Sequence, residues 1–199
     1  MADDSSTEKL RLFVAIPMPE TVRNEITGVQ RELRRLVSHD AIRWTKPEQF
    51  HLTLRFLGDV PAERVAALQE AVNSVCRASP ALHLRAQGTG FFPNARSPRV
   101  IWAGVNDSEG RLADLQKKIE GAVQPFTKEP GTERFAGHVT IGRVKFLKRP
   151  EIEELAAHAQ AVKARLFGEW TAGEVELIRS DLSPGGACHT LLAAICLAK

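Results

Sequence analysis

The stretch HLTLRFLG, from His51 to Gly58, alternates polar and apolar residues as a β-strand with one buried face does. Alternation predicts two faces, with His51, Thr53 and Arg55 on one and Leu52, Leu54 and Phe56 on the other. The apolar face is expected to pack beneath helices. The polar face needs water or a ligand, because leaving such a group buried and unpaired costs about 1–3 kcal/mol.

A second stretch, HVTIGRVK from His138 to Lys145, repeats the order His, apolar, Thr, apolar. Here His138 and Thr140 are expected to share one face of a strand. The two histidines lie 87 positions apart (138 − 51), a separation too long for a solenoid repeat. This spacing favours duplication of a half-domain.

The elements predicted around the two motifs follow the same order in each half of the chain. Hydrophobic periodicity predicts strands over 12–16, 42–44, 51–58, 82–92, 100–105, 135–145, 173–180 and 189–198. It predicts helices over 20–37, from 61 to just before 80, over 111–123 and over 151–165, with Leu166 on the apolar face of the last. Each half therefore has strand, helix, His-x-Thr strand, helix and further strand, which indicates an α+β fold.

We expect residues 1–9 to be a disordered N-terminus and residues 10–199 to form a single bilobed domain. Its approximate sequence halves are 10–95 and 99–199, joined near Pro93–Arg99. Helices are expected on the outside of the sheets, whose opposite faces would line a central cleft. The turn between the last two strands is predicted at SPGG, residues 183–186.

Composition places few limits on function. The 199 residues are 43% apolar and 26% charged, as in an ordinary globular protein, and the net charge of +3 permits an anionic substrate without requiring one. The opening MADDSSTEKL does not resemble a secretory signal, and no apolar run approaches the ~20 residues of a membrane span. Three cysteines without C-x-x-C spacing, Cys76, Cys188 and Cys196, are expected to be reduced, packed thiols. We therefore expect a cytoplasmic monomer without a membrane partner.

The paired motifs suit chemistry at phosphorus. Histidine and threonine two positions apart lie about 7 Å from one another along a strand, so both can contact one tetrahedral anion. Two such strands related by an approximate two-fold axis place one imidazole on each side of a phosphate. One neutral histidine then takes a proton from the attacking hydroxyl, and one protonated histidine gives a proton to the departing oxygen. This scheme needs neither a metal nor a cofactor.

Structural, metal-binding and nucleophilic roles fit the motifs less well. A single strand histidine is more often a structural hydrogen-bonding group, but two matched units favour function. Zinc binding lacks a third ligand at a recognisable spacing. The chain contains neither the G-x-S-x-G of a serine nucleophile nor a phosphate-binding loop motif.

Four segments together resemble the 2H phosphoesterase superfamily, specifically the LigT-like RNA 2′,3′-cyclic phosphodiesterases, also called 2′-5′ RNA ligases. They are RLFVAIP (11–17), W-x6-HLTLRFLG (44–58), VIWAGV (100–105) and FAGHVTIGRV (135–144). The similarity runs in the right order from about Leu10 to Ala198. It implies a bilobed, pseudo-two-fold duplicated α+β fold, in which two mainly antiparallel sheets each bring one His-x-Thr strand to the central cleft.

The resemblance also implies hydrolysis of 2′,3′-cyclic phosphate at RNA 3′ ends to a 2′-phosphate, with ligation as the reverse direction. His51 and His138 would be the catalytic pair, as proton donor and base respectively. Thr53 and Thr140 would hold phosphate oxygens. Arg143, five residues after His138, matches an arginine of the family; simple alternation turns it away from His138, but a bulge at Gly142 would re-aim it.

Several alternatives stay open at this point. The sequence also permits a non-catalytic binder of nucleotides or RNA ends, or a phosphodiesterase of 2′-5′ oligonucleotides or of ADP-ribose cyclic phosphate. Many relatives have a tyrosine near the last strand, whereas this chain has no tyrosine and carries His189 there, either in that space or on the surface. Arg55 is assigned either to phosphate contact or to the rim. Candidates for base stacking, each with core packing as its alternative, are Phe13, Trp44, Phe91, Phe92 and Trp102.

Overall fold

The structure, a computed structural model, describes residues 8–131, 134–183 and 186–198. The strands are β1 Lys9–Ile16, β2 Ile42–Trp44, β3 Leu52–Pro61, β4 Leu82–Phe92, β5 Val100–Asn106, β6 His138–Val144, β7 Leu166–Ala172, β8 Glu174–Ser183 and β9 Gly186–Cys196. The α-helices are α1 Glu20–Arg34, α2 Val65–Arg77, α3 Arg111–Val123 and α4 Arg149–Ala161. Most of the predicted disordered N-terminus, residues 1–7, lies outside the described residues, as do 184 and 185 of the predicted SPGG turn.

Two antiparallel sheets form the centre of the fold. The first sheet has the order β3-β1-β8-β9, and the second has the order β2-β6-β5-β4-β7. Strand β3 follows the first motif histidine directly, and β6 begins at the second. In each sheet the motif strand lies beside the opening strand of its half, β1 or β5, so the sheets are equivalent apart from the added β2. The α+β architecture expected from the element order is confirmed.

The lobes do not coincide with the sequence halves 10–95 and 99–199. Strand β4 of the first half lies in the second sheet, and β8 and β9 of the second half lie in the first sheet. The first half therefore gives β1 and β3 to the first sheet and β2 and β4 to the second. The second half gives β5, β6 and β7 to the second sheet and β8 and β9 to the first. Because of this exchange, the chain passes between the two sheets in both halves of the sequence.

Helices cover one face of each sheet. α2 and α3 pack on the first sheet, and α1 and α4 pack on the second. In β1 the alternation separates the two faces, because Leu12, Val14 and Ile16 enter the main core while Phe13 and Ala15 form a separate cluster with Ile178. The second cluster lies on the face turned away from the helices. That face of the first sheet is free to line a cleft.

Helix α1 shows why the local sequence signals worked. Pro19 occupies its N-cap position with an extended φ of −61° and ψ of 150°, so the chain enters the helix at Glu20. Val22, Ile26, Val29 and Leu33 then recur at helical spacing and are all buried. None of the helices in the described part of the chain is long and apolar enough to cross a membrane.

Three predictions about local structure were wrong. α4 ends at Ala161, and Leu166 begins β7, which pairs with β4 through Leu82 to Gln87; this tertiary pairing decides the conformation there. Cys188 and Cys196 are exposed rather than packed, and only Cys76 is a buried thiol. The second motif strand begins at His138 rather than at residue 135.

Candidate active site

A bulge in β3 changes which side chains of the first motif face the cleft. Thr53 is paired with Ala15 and Phe56 with Phe13, with a register shift that passes over Leu54. Phe56 therefore shares the face of Thr53 and is 51% exposed, whereas Arg55 is only 4% exposed. The prediction from simple alternation was wrong for these two residues, because one extra residue reverses the pattern beyond it.

Arg55 holds the segment that precedes the second motif. Its guanidinium donates hydrogen bonds to the backbone carbonyls of Glu129 at 2.7 Å and Pro130 at 2.6 Å. Arg55 connects the first motif strand to the loop that lines the cleft beside His138, and it is itself among the residues that line the cavity. Its burial excludes the predicted rim position, whereas phosphate contact stays a prediction.

A second bulge places Arg143 on the face of His138. His138 is paired with Gly104, Thr140 with Trp102 and Arg143 with Val100, with a register shift that passes over Ile141. The shift compensates for the odd spacing between Thr140 and Arg143, so all three polar residues share one face.

Gly142 permits this bulged strand to pack tightly against β2. A Cβ at Gly142 would lie 2.8 Å from Cγ2 of Ile42 and 3.0 Å from Cε3 of Trp44. Both atoms belong to packed side chains, so a larger residue would push β2 away. The glycine is therefore required by close approach of the neighbouring strand.

Both motif histidines are oriented by the same local hydrogen bond. Nδ1 of His51 lies 2.8 Å from the backbone carbonyl of Gln49, and Nδ1 of His138 lies 2.7 Å from that of Ala136. In each case the carbonyl belongs to the residue two positions earlier. A carbonyl only accepts, so Nδ1 carries the proton and Nε2 is the ring nitrogen available to a ligand.

The surroundings of the two imidazoles disfavour their charged forms. Burial, joined by charge repulsion from His189 and His138, lowers the pKa of His51 to about 4 against the opposing effect of the Gln49 carbonyl. Burial also lowers the pKa of His138, and Arg143 adds to that effect. Because both pKa values are lowered, each imidazole favours its neutral form and can accept a proton.

A cavity of about 380 Å³, in the size range of small-molecule sites, is lined by Thr53 of the first motif and His138 of the second. The other predicted site residues, His51, Thr140 and Arg143, are not among its lining residues. Its lining includes Thr53, Phe56, Phe92, Arg134, Phe135 and His138. Phe92 is in edge contact with His138, with 4.9 Å between the ring centroids. Both sheets therefore contribute to one cleft that has a polar end and an aromatic wall.

The aromatic wall differs from the expected set. Of the five stacking candidates only Phe92 lines this cavity, because Phe13 is 2% exposed, Phe91 is buried, Trp44 lies against Arg34, and Trp102 packs beside Phe92. Phe56 was missed because the bulge in β3 left no signal in the sequence.

Within residues 8–131, 134–183 and 186–198, no group of three or more His, Cys, Asp or Glu side chains is arranged to hold a metal ion.

The architecture defines a class of two-lobed α+β proteins in which two equivalent sheets each carry a His-x-Thr strand. The family model described as LigT like Phosphoesterase matches residues 16–102 and 104–189. The chain therefore belongs to the LigT-like phosphoesterase family.

Individual relatives cover nearly the whole chain. The RNA 2′,3′-cyclic phosphodiesterase of Methanothermobacter thermautotrophicus is 32% identical over 184 residues, which are 92% of this chain and 96% of that protein. A crystal structure from Thermus thermophilus is similar with a TM-score of 0.77 and 31% identity, covering 94% of this chain and 98% of that one. Escherichia coli LigT in complex with NADP+ has a TM-score of 0.70 and 25% identity, covering 96% of this chain and 100% of that one.

Proposed function

We propose that this protein hydrolyses 2′,3′-cyclic phosphates at the 3′ ends of RNA and of nucleotides, leaving a 2′-phosphate. The observation that carries the proposal is the matched pair of imidazoles at the two motif strands. Each has Nδ1 donating to the carbonyl two residues earlier, which leaves Nε2 for the substrate, and the charge of His138 acts on His51. The curated relatives named RNA 2′,3′-cyclic phosphodiesterase support the activity and the substrate class.

In the proposed mechanism His138 is the base and His51 is the acid. Water attacks phosphorus as Nε2 of His138 takes its proton, and the bond from phosphorus to O3′ breaks as Nε2 of His51 delivers a proton to that oxygen. Thr53 and Thr140 donate hydrogen bonds to the non-bridging oxygens, and Arg143 offsets their charge. The assignment of acid and base follows the resemblance, since the pseudo-symmetry permits the exchanged roles.

The acid receives its proton as the substrate binds. The pKa of His51 is about 4, mainly through burial, so this histidine is neutral near pH 7. A cyclic phosphate is an anion, and an anion placed beside an imidazole favours its protonated form. Substrate binding is therefore expected to draw one proton into the cleft, and the reaction needs no metal because side chains supply every role.

The aromatic wall gives the cleft a place for the nucleoside. Phe56 is half exposed beside Thr53, and Phe92 and Phe135 line the same cavity. Aromatic faces of this kind bind bases through stacking, with a gain of about 1–3 kcal/mol per base. Arg134 lies at the same cavity and adds positive charge for an RNA backbone.

Incubation with adenosine 2′,3′-cyclic monophosphate tests the activity. The expected product is the 2′-monophosphate, resolved from the 3′ isomer by chromatography, and its rate of formation is expected to be the same with and without a chelator. Binding without turnover would favour the non-catalytic alternative. Activity that is lost with chelator and restored by zinc would contradict the metal-independent mechanism.

A substrate panel distinguishes the remaining alternatives. RNA ending in a cyclic phosphate, 2′-5′ oligonucleotides and ADP-ribose cyclic phosphate are compared by kcat/KM. RNA ends are expected to be preferred. The reverse reaction is assayed separately, by mixing an RNA that ends in a cyclic phosphate with one that begins with a 5′-hydroxyl, and any joined product is tested for a 2′-5′ linkage.

Thr53→Val is expected to lower kcat/KM by about 10- to 100-fold, because the isosteric change removes one charge-assisted hydrogen bond to the phosphate, which corresponds to about 1–3 kcal/mol. Thr171→Val is the matched control, since Thr171 is an exposed residue of β7. Kinetics of Thr53→Val that equal those of the control would remove Thr53 from the site.

A further inference from the structure

A third histidine contacts His51 from the far edge of the first sheet. The ring of His189, on β9, lies 5.4 Å from the ring of His51 at an interplanar angle of 66°. Both rings also contact Phe13, with centroid distances of 4.8 Å to His51 and 5.1 Å to His189. β3 and β9 are the opposite edge strands of this sheet. The ring contact therefore means that the sheet is curled, so that one end of β9 approaches the start of β3.

Gln49 fixes this corner through the backbone. Its carbonyl accepts the hydrogen bond from Nδ1 of His51, and its side-chain amide donates to the backbone carbonyl of Ala187. Ala187 precedes His189 by two residues on β9. Gln49 therefore orients His51 and also holds the strand that carries His189. The close approach of the two rings is thus fixed by hydrogen bonds of the backbone around them.

The His189 side chain is held by these ring contacts. Its side chain is half buried, and no hydrogen bond from its ring is found among the described residues. On β8 the residue paired with His189 is Ser180, and the nearby charges of Arg179 and Asp181 form an ion pair with each other at 2.8 Å. Other charged groups about the corner are His138 and Arg143 on β6, Glu176 on the cleft face of β8, and Arg43 of β2 beside Gly186.

We propose that His189 is a positioning residue for His51: together with Phe13 it confines the His51 ring to one orientation and covers it from solvent. Two rings at about 5 Å restrict the rotation of a third ring through packing. Burial lowers the pKa of His189 as well, so its charge repels a proton on His51 only at acidic pH, where both rings titrate. The effect on turnover rests on the proposed function, but the effect on His51 itself does not.

Nuclear magnetic resonance titration of the histidine ring protons measures this effect directly. In His189→Ala the pKa of His51 is expected to rise, because the substitution removes both burial and charge repulsion. In His189→Phe the rise is expected to be smaller, because the ring contact remains and only the charge is lost. The pKa of His138, which is lowered by burial and by Arg143, is expected to change less than that of His51.

Kinetics give the second readout. His189→Ala is expected to lower kcat by about tenfold through misorientation of His51, with His189→Phe closer to wild type. His83→Ala is the control, since that side chain is 64% exposed and contacts Glu169. An unchanged His51 titration in both folded variants would overturn the inference. If the wild-type protein showed no hydrolytic activity, the proposed function would be overturned. The inference about His189 would still be testable, because the titration needs no turnover.

Discussion

His51→Ala and His138→Ala are each expected to lower kcat/KM for cyclic phosphate hydrolysis by about 10²–10⁴-fold. Each substitution removes one of two proton transfers, and neither the hydroxyl of a threonine nor the guanidinium of Arg143 can replace an imidazole near neutral pH. The double variant is expected to lose little more than the less active single variant, because an acid without a base gives no concerted transfer.

The control for these variants must separate lost chemistry from lost structure. His83→Ala removes the same kind of side chain from a surface site that is 64% exposed, and it is expected to keep wild-type kinetics. His51→Asn serves as a second variant, since His51→Ala leaves a gap against Phe13. Circular dichroism and thermal unfolding check the fold. Full activity in either folded histidine variant would contradict the two-histidine mechanism.

Elements with strong local signals were predictable from the sequence. The bounds of β2, β4 and α3 agree with the predictions, because proline, glycine and apolar periodicity mark their ends within the segment itself. The candidate pair His51 and His138 was likewise visible, since alternation alone puts each histidine on the face of its threonine.

Features set by distant partners were not predictable. β7 forms because it pairs with β4, which is distant in sequence. The exchange of strands between the halves likewise depends on pairing across the whole chain. The bulges in β3 and β6 decide that Phe56 faces the cleft, that Arg55 is buried and that Arg143 joins His138. Of the two bulges, only the one in β6 had a local signal in the sequence, the glycine at position 142. The contact between His189 and His51 depends on the curl of an entire sheet.

Acid is expected to destabilise this protein in part through His51. The folded-state pKa is about 4, mainly because of burial, against an ordinary value of 6.5 in the unfolded chain. Between these values the unfolded chain binds a proton that the folded His51 does not, so the free energy of unfolding falls as the pH falls. The loss begins near pH 6.5 and amounts to about 3 kcal/mol by pH 4.

Denaturant unfolding at pH 7 and pH 4 isolates this contribution when wild type is compared with His51→Asn. Wild type is expected to lose about 3 kcal/mol more than the variant over that interval, since asparagine does not titrate. His39→Asn is the matched control because its side chain is 98% exposed, and it is expected to follow wild type. Equal losses in wild type and His51→Asn would mean that His51 is protonated as readily in the folded protein as in the unfolded chain. The neutral imidazole on which the proposed proton uptake depends would then be absent.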